Sequence, residues 1–306
     1  MAAPALLETT LRRIPQWSSA PDLRCSFLAG GITNLNYRVE VDGENYVVRI
    51  SGADSELLGI DRRCEHAAHA AAASLGIAPE VFYVIEPEKY LVTRFIDGRP
   101  LSPEELGLPE NIGRVAGAMR QYHALPPIAC SFSPFHIVAA YATTARSHQV
   151  PFPEDFPALE AQLNAIEASF RRVPFSPQLC HNDLLNANFL DDGRLRILDW
   201  EYAGMGDIFF DLGNFAVQHE FNDEQDDLLL EAYFSESRDD PVGRLRARLK
   251  LMKIMSDLRE AMWGMVQVGV SKLDFDYVGY GRKYFDRFET AVRGARYEEW
   301  LQEAGA

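Results

Sequence analysis

The sequence predicts an α+β fold, a β-rich N-terminal lobe followed by a mostly helical C-terminal lobe. Two observations carry this. Up to about residue 98, short β-branched runs alternate with Asp-Gly turn signals, whereas beyond Gly98 long helical patterns take over. The chain has 306 residues, 47% hydrophobic and 25% charged, enough to bury one large core or two lobes. We place the lobes at residues 1–94 and 95–306, with a connector at about 94–98.

YRVEV (37–41) and ENYVVRI (44–50) are strand-like runs separated by Asp42-Gly43, a strong hairpin signal. IDRRCEHAAHAAAASLG then reads as a helix closed by Gly76, with Pro79 beyond it. KYLVTRFIDG (89–98) is a short strand running into a turn. Helices are expected at about 102–124, 157–172 and 223–236, the last opening on a capping-box arrangement of Asn222 and Gln225. Two more helical stretches follow, at 241–267 and 276–300. A small β insertion, 178–200, lies among the helices.

Composition narrows the function. No run reaches the roughly 18 apolar residues of a membrane span, and MAAPALLETTLRR places acid and arginine where a signal peptide would be uninterruptedly apolar. A cytoplasmic location is the expectation. Cys25, Cys64, Cys130 and Cys180 form no CxxC pair, which argues against a zinc site or a disulfide framework and reads them as reduced, buried thiols. The formal charge of -15 argues against nucleic acid and suits a small cationic substrate.

Hairpin arithmetic places the polar residues. With Asp42-Gly43 as the turn, Arg49 lies opposite about Asn36, beneath the loop AGGITNLN (29–36). Gly30 and Gly31 let backbone amides approach an anion, and Thr33 and Asn34 add side-chain donors, so this loop is a candidate phosphate cradle. In FLDDGRLRIL the turn Asp192-Gly193 sets Asn188 opposite about Ile197, which carries Asp199 back beside HNDLLNAN. Convergent oxygen ligands and a phosphate cradle suggest ATP with Mg2+.

His181-Asn182-Asp183 followed by Asn188 fits the H-x-D-x-x-x-x-N loop of kinases, and Asp199-Trp200-Glu201 stands where protein kinases carry Asp-Phe-Gly. Together with LAGGITNLNYRV, YVVRISG, ILDWEYAGMGDIFFDLGNF and AMWGMVQVGVSKLDFDY, this resembles the choline/ethanolamine kinase family of aminoglycoside-phosphotransferase-like enzymes, over roughly residues 25–285. The resemblance implies a protein-kinase-like two-lobed fold with a nucleotide-binding N-terminal lobe. It makes Asp183 the acceptor base, Asn188 and Asp199 the Mg2+ ligands, and Arg49, paired with Glu65, the phosphate-gripping cation. Backbone groups around Arg94 and Ile96 would meet adenine, with Thr93 behind them, while His181 and Asp211 would support the loop.

For the acceptor, Glu201, Tyr202, Trp263, Tyr277 and Tyr280 resemble a cation-binding set. Two departures stand out. Glu260 occupies a place where choline kinases carry tryptophan, and Gln218 one where they carry glutamate. The expected activity is transfer of the γ-phosphate of ATP to choline or ethanolamine. A kinase for thiamine, an aminoglycoside or a sugar, and a non-catalytic nucleotide-binding pseudokinase, are the alternatives. A homodimer is compatible with the sequence.

Overall fold

The computed structural model describes residues 4–28, 34–52, 55–173, 175–235, 241–271 and 273–306. Helix α1 (Pro4–Leu11) leads into strands β1 (Leu23–Leu28), β2 (Leu35–Val41) and β3 (Glu44–Ile50), then helix α2 (Arg62–Ser74), β4 (Val81–Ile85) and β5 (Tyr90–Arg94). The strands form one antiparallel sheet in the order β1-β2-β3-β5-β4. Asp42 and Gly43 both take positive φ, 51° and 83°, the backbone twist that lets a two-residue turn join two right-twisted strands. Alternation along β2 then sends Tyr37, Val39 and Val41 inward, against Trp17, Tyr46, Val48 and Val92.

Asp61 caps α2, its side chain accepting from the Arg63 N–H, and Gly76 ends the segment at φ 70°. The buried positions Glu65, Ala68, His69 and Ala72 recur at helical spacing. Ala68 and Ala72 belong to the second, larger core, formed with the helices. Helix α2 therefore packs on the helical half as well as on the sheet.

Beyond the connector come β6 (Arg99–Pro100), α3 (Pro103–Leu106) and α4 (Pro109–His123). The single helix expected at 102–124 is thus two, because Pro109 cannot continue a helix but starts one well, and Gly107 closes the first. Helix α5 (Pro134–Ser147), not anticipated from the sequence, starts at Ser133, whose side chain accepts from the His136 N–H. Helix α6 (Phe156–Arg172) precedes β7 (Gln178–Cys180), β8 (Phe189–Asp191), β9 (Leu195–Ile197) and β10 (Gly204–Gly206). Strand β7 pairs with β10, and β8 lies between β6 and β9.

Helix α7 (Ile208–Gln218) is followed by α8 (Asp223–Tyr233), whose capping box is formed by Asn222 and Gln225 as the sequence indicates. Helix α9 (Val242–Val270) runs through the core, and the predicted run at 276–300 divides into α10 (Tyr277–Val292) and α11 (Tyr297–Glu303). Close crossings depend on glycine. A Cβ on Gly213 would sit 2.6 Å from the Met252 carbonyl carbon, and one on Gly264 3.0 Å from the Gly281 Cα.

Two cysteines depart from the expectation of reduced thiols. Cys64 and Cys130 form a disulfide with their Cα atoms 5.8 Å apart, although 66 positions separate them in the sequence. The packing of α2 beside β10 brings them together, which no local spacing could reveal. Cys180 is a buried free thiol, while Cys25 is exposed rather than buried. Among the described residues no helix is long and apolar enough to cross a membrane.

Candidate active site

The first hairpin pairs Asn36 with Arg49, the register that the turn arithmetic gives. The second pairs Phe189 with Ile197 and Asp191 with Leu195, one position off the expected register. The reason is a three-residue connection, Asp192-Gly193-Arg194, with Gly193 at φ 94°. The Leu198 N–H still donates to the Asn188 carbonyl at 2.8 Å, so Asp199 returns beside the loop.

The loop itself is held from below. Asp211, fully buried near the start of α7, accepts from the N–H groups of His181 (2.8 Å) and Asn182 (2.6 Å), from the Tyr122 hydroxyl (2.6 Å) and from His123 Nε2 (3.1 Å). Burial alone would push its carboxyl up, but the hydrogen bond and charge of His123, with those of its other partners, hold it below the usual range. His123 and Asp211 also lie close to Cys180, their possible ligand atoms within 4.8 Å of one another. Because His123 and Asp211 bond each other, we read this cluster as a brace.

His181 fixes the loop through both ring nitrogens. Nδ1 accepts from the Asp183 N–H at 3.2 Å, so the proton resides on Nε2, which donates to the Leu198 carbonyl at 2.8 Å. Burial pushes its pKa down, consistent with that neutral tautomer. Asn182, without a role in the expected site, donates to the Tyr202 carbonyl at 3.0 Å and adopts φ 67°. Asp199 also takes a left-handed backbone, φ 57°, a conformation that non-glycine residues hold only where neighbours enforce it.

Asp183 and Asn188 meet directly. The Asn188 Nδ2 donates to the Asp183 carbonyl at 2.8 Å, which commits the amide nitrogen and leaves the amide oxygen for a ligand. Arg49 pairs with both Glu65 and Asp199, joining β3, α2 and the second residue after β9. Arg62, which sequence reading missed, bridges Glu65 at 2.7 Å and Glu201 at 3.1 Å. Glu201 also accepts from Asn34 Nδ2 at 2.9 Å, and burial, then the nearby Asp199, raises its pKa. Of the predicted phosphate cradle only Asn34 is described; Gly30, Gly31 and Thr33 lie outside the described residues.

At the connector, Thr93 is buried on β5. The Arg94 N–H already donates to the Glu80 carbonyl at 2.8 Å, and its guanidinium turns away to Glu44 and the Tyr46 ring. Any backbone donor for a base therefore falls to Ile96 rather than to Arg94.

On the acceptor side, Trp263 Nε1 donates to the Tyr202 hydroxyl at 3.1 Å, and the Trp263 ring meets Tyr277 and Tyr280 edge-on at 5.9 and 5.4 Å. The Tyr280 hydroxyl donates to Glu260 at 2.6 Å. Gln218 accepts from Tyr284 at 3.2 Å. A second missed residue is Arg259, whose Nη1 lies 3.1 Å from Asp183 Oδ1. Burial raises the Asp183 pKa to about 7, against the pull of Arg259.

Against known proteins, the model of the phosphotransferase enzyme family matches residues 24–249. The chain belongs to that family. This phosphotransferase is an enzyme of the kind that transfers phosphate to an alcohol group. It is 27% identical over 301 residues to ethanolamine kinase 2 of Rattus norvegicus, covering 90% of this chain and 77% of that one. The crystal structure of a choline/ethanolamine kinase family protein from Mesorhizobium loti superposes with a TM-score of 0.81 at 28% identity, covering 98% of this chain and 99% of that one. A LicA structure in complex with AMP, 21% identical, shares the fold with a TM-score of 0.73 over 91% of this chain and 96% of that one. The phosphotransferase thus has a kinase-like fold, with its sheet in the N-terminal region and its helices in the C-terminal one.

Proposed function

We propose that the chain is an ATP- and Mg2+-dependent kinase that phosphorylates the hydroxyl of a small amino alcohol, choline or ethanolamine. The observation that carries this reading is the convergence of Asp183, Asn188 and Asp199 on one loop and its returning strand, with Arg49 bonded to Asp199. The names of its relatives, choline and ethanolamine kinases, support the choice of acceptor.

Asp183 takes the hydroxyl proton as the acceptor oxygen bonds the γ-phosphorus; the bond from that phosphorus to the bridging oxygen breaks, and ADP leaves. The free amide oxygen of Asn188 and the carboxylate of Asp199 form a hard, small oxygen set of the kind Mg2+ accepts. When bound there, the ion supplies neutralisation of phosphate charge. Arg49, held by Glu65 and Asp199, sets its positive charge beside the phosphate oxygens. Residues 1–94 form the nucleotide lobe and residues 95–306 the catalytic and acceptor lobe, with Ile96 meeting adenine between them.

A panel of alcohols assayed for ADP release tests the reading. Choline or ethanolamine is expected to give the highest kcat/KM, and Asp183→Ala to lower kcat by about 10²- to 10⁴-fold with the fold retained. Full activity of that variant would sink the mechanism. Release of ADP only with a sugar, an aminoglycoside or thiamine would replace the acceptor.

A further inference from the structure

A buried carboxylate acting as a base must be aimed, yet its own loop, HNDLLNAN, contains neither lysine nor arginine. The cation beside Asp183 comes instead from α9. Arg259 is only 1% exposed; its Nη1 reaches Asp183 Oδ1 at 3.1 Å and also bonds Glu260 Oε1, while its Cζ lies 4.4 Å from the centre of the Tyr202 ring. A guanidinium withdrawn from water to this degree is tolerated only where carboxylates and ring faces answer it. Glu260 is in turn fixed by the Tyr280 hydroxyl, and Tyr202 by Trp263.

Among the described residues, the Arg259 Nε and Nη2 have no hydrogen-bond partner. The group therefore spends one nitrogen on two carboxylates, with its Cζ over the Tyr202 ring. A charge-assisted bond from a side chain that Glu260 and the Tyr202 ring also hold limits where the Asp183 Oδ1 can sit.

We propose that Arg259 is a positioning residue for the phosphoryl transfer: Glu260 and Tyr202 hold its guanidinium, which fixes Asp183 Oδ1 and turns Oδ2 toward the acceptor hydroxyl. The proposal rests on the kinase reading above. It gives Glu260 a role in the chain Tyr280–Glu260–Arg259–Asp183. It also means that the Tyr202 ring face is already occupied by the protein's own cation, so the acceptor meets the wall formed by Trp263, Tyr277 and Tyr280.

Steady-state kinetics of Arg259→Gln, Arg259→Lys and Glu260→Gln, each checked for folding by circular dichroism, test this with the best acceptor of the panel. Arg259→Gln is expected to lower kcat by about 10²-fold with the KM for ATP changed less than about 3-fold, because a misaimed base slows chemistry without weakening nucleotide binding. Arg259→Lys should recover part of that loss, and Glu260→Gln should produce a smaller loss of the same kind. In the Asp183→Ala background, Arg259→Gln should cost nothing further, since the two act as one unit. If Arg259→Gln does not fold, the lysine and Glu260 variants carry the same comparison. A folded variant within about 3-fold of the parent kcat, or losses that simply multiply with Asp183→Ala, overturns the proposal while leaving the kinase reading intact. A parent protein that releases no ADP with any alcohol overturns both.

Discussion

Asp183 stands under opposed influences, burial with the Glu260 and Asp199 charges favouring its protonated form and Arg259 favouring the carboxylate, and its pKa settles at about 7. A base must be ionised to accept a proton. On the proposed reading kcat/KM for the acceptor is therefore expected to rise with pH and level off above an apparent pKa near 7, and a kcat/KM independent of pH between about 5.5 and 8.5 would refute that assignment. Asn188 makes a separate prediction. Its nitrogen serves the Asp183 carbonyl and, on the proposed reading, its oxygen takes the metal, so Asn188→Ala is expected to raise the Mg2+ concentration giving half-maximal rate by about 10-fold or more, measured by titrating Mg2+ at fixed ATP. At this scale the convergence of Asp183, Asn188 and Asp199 was legible because their spacing is local: five positions separate Asp183 from Asn188, and an Asp-Gly turn returns Asp199. Arg62 and Arg259 were not legible. A charged residue inside a helical run reads as solvent-facing, and only the packing of α2 and α9 shows the Arg62 guanidinium partly covered and that of Arg259 buried, each against carboxylates.

Among the elements, α9 matters most because α5, α7, α10 and α11 all pack on it. Its contact with α7 has no room for a side chain at Gly213, where a Cβ would meet backbone at 2.6 Å. Gly213→Ala is therefore expected to cost about 1–3 kcal/mol or more, read by urea unfolding, and the shift of α7 would also disturb Asp211 under the loop. An unchanged unfolding midpoint would show that the helices can separate freely. The disulfide joins two other elements. Cys64 precedes Glu65 on α2, and the Cys130 carbonyl accepts from the Met205 N–H of β10 at 2.8 Å, so the bond ties the helix bearing Glu65 to the strand that follows Tyr202. Cys64→Ser should lower stability by roughly 2–4 kcal/mol, and equal midpoints for variant and parent would count against a cross-link. Hairpins and capped helices could be read from local turn chemistry. Helix α5 could not, because its alanines and threonines give weak periodicity, and the disulfide could not, because it depends on tertiary packing.

The molecule as a whole holds buried ionisable groups that push stability in opposite directions with pH. His69 and His219 are shifted by burial from 6.5 to about 4. Their folded pKa values are depressed, so the stability they contribute is present above about 6.5 and is lost as pH falls toward 4, where the unfolded chain takes up protons that the fold refuses. Asp257, on α9 beside Arg287 at 3.1 Å, has the reverse sign: burial raises its pKa from 3.8 to about 7. Its protonated form is favoured by folding, so the stability it contributes is fully present below 3.8 and is lost as pH rises through about 7. Between about pH 4 and 6.5 the histidines and Asp257 therefore oppose one another, and the parent protein hides each contribution in the sum. Asp257→Asn removes one side of that balance. Loss of the Arg287 ion pair adds an offset, but the diagnostic is slope. Relative to the parent, the variant's unfolding free energy is expected to increase with pH by up to about 1.4 kcal/mol per unit within this window. Urea unfolding of both proteins at pH 5 and pH 6.5 decides it. Parallel profiles would mean that Asp257 is ionised throughout and that its burial is answered more fully by Arg287 than its position on α9 indicates.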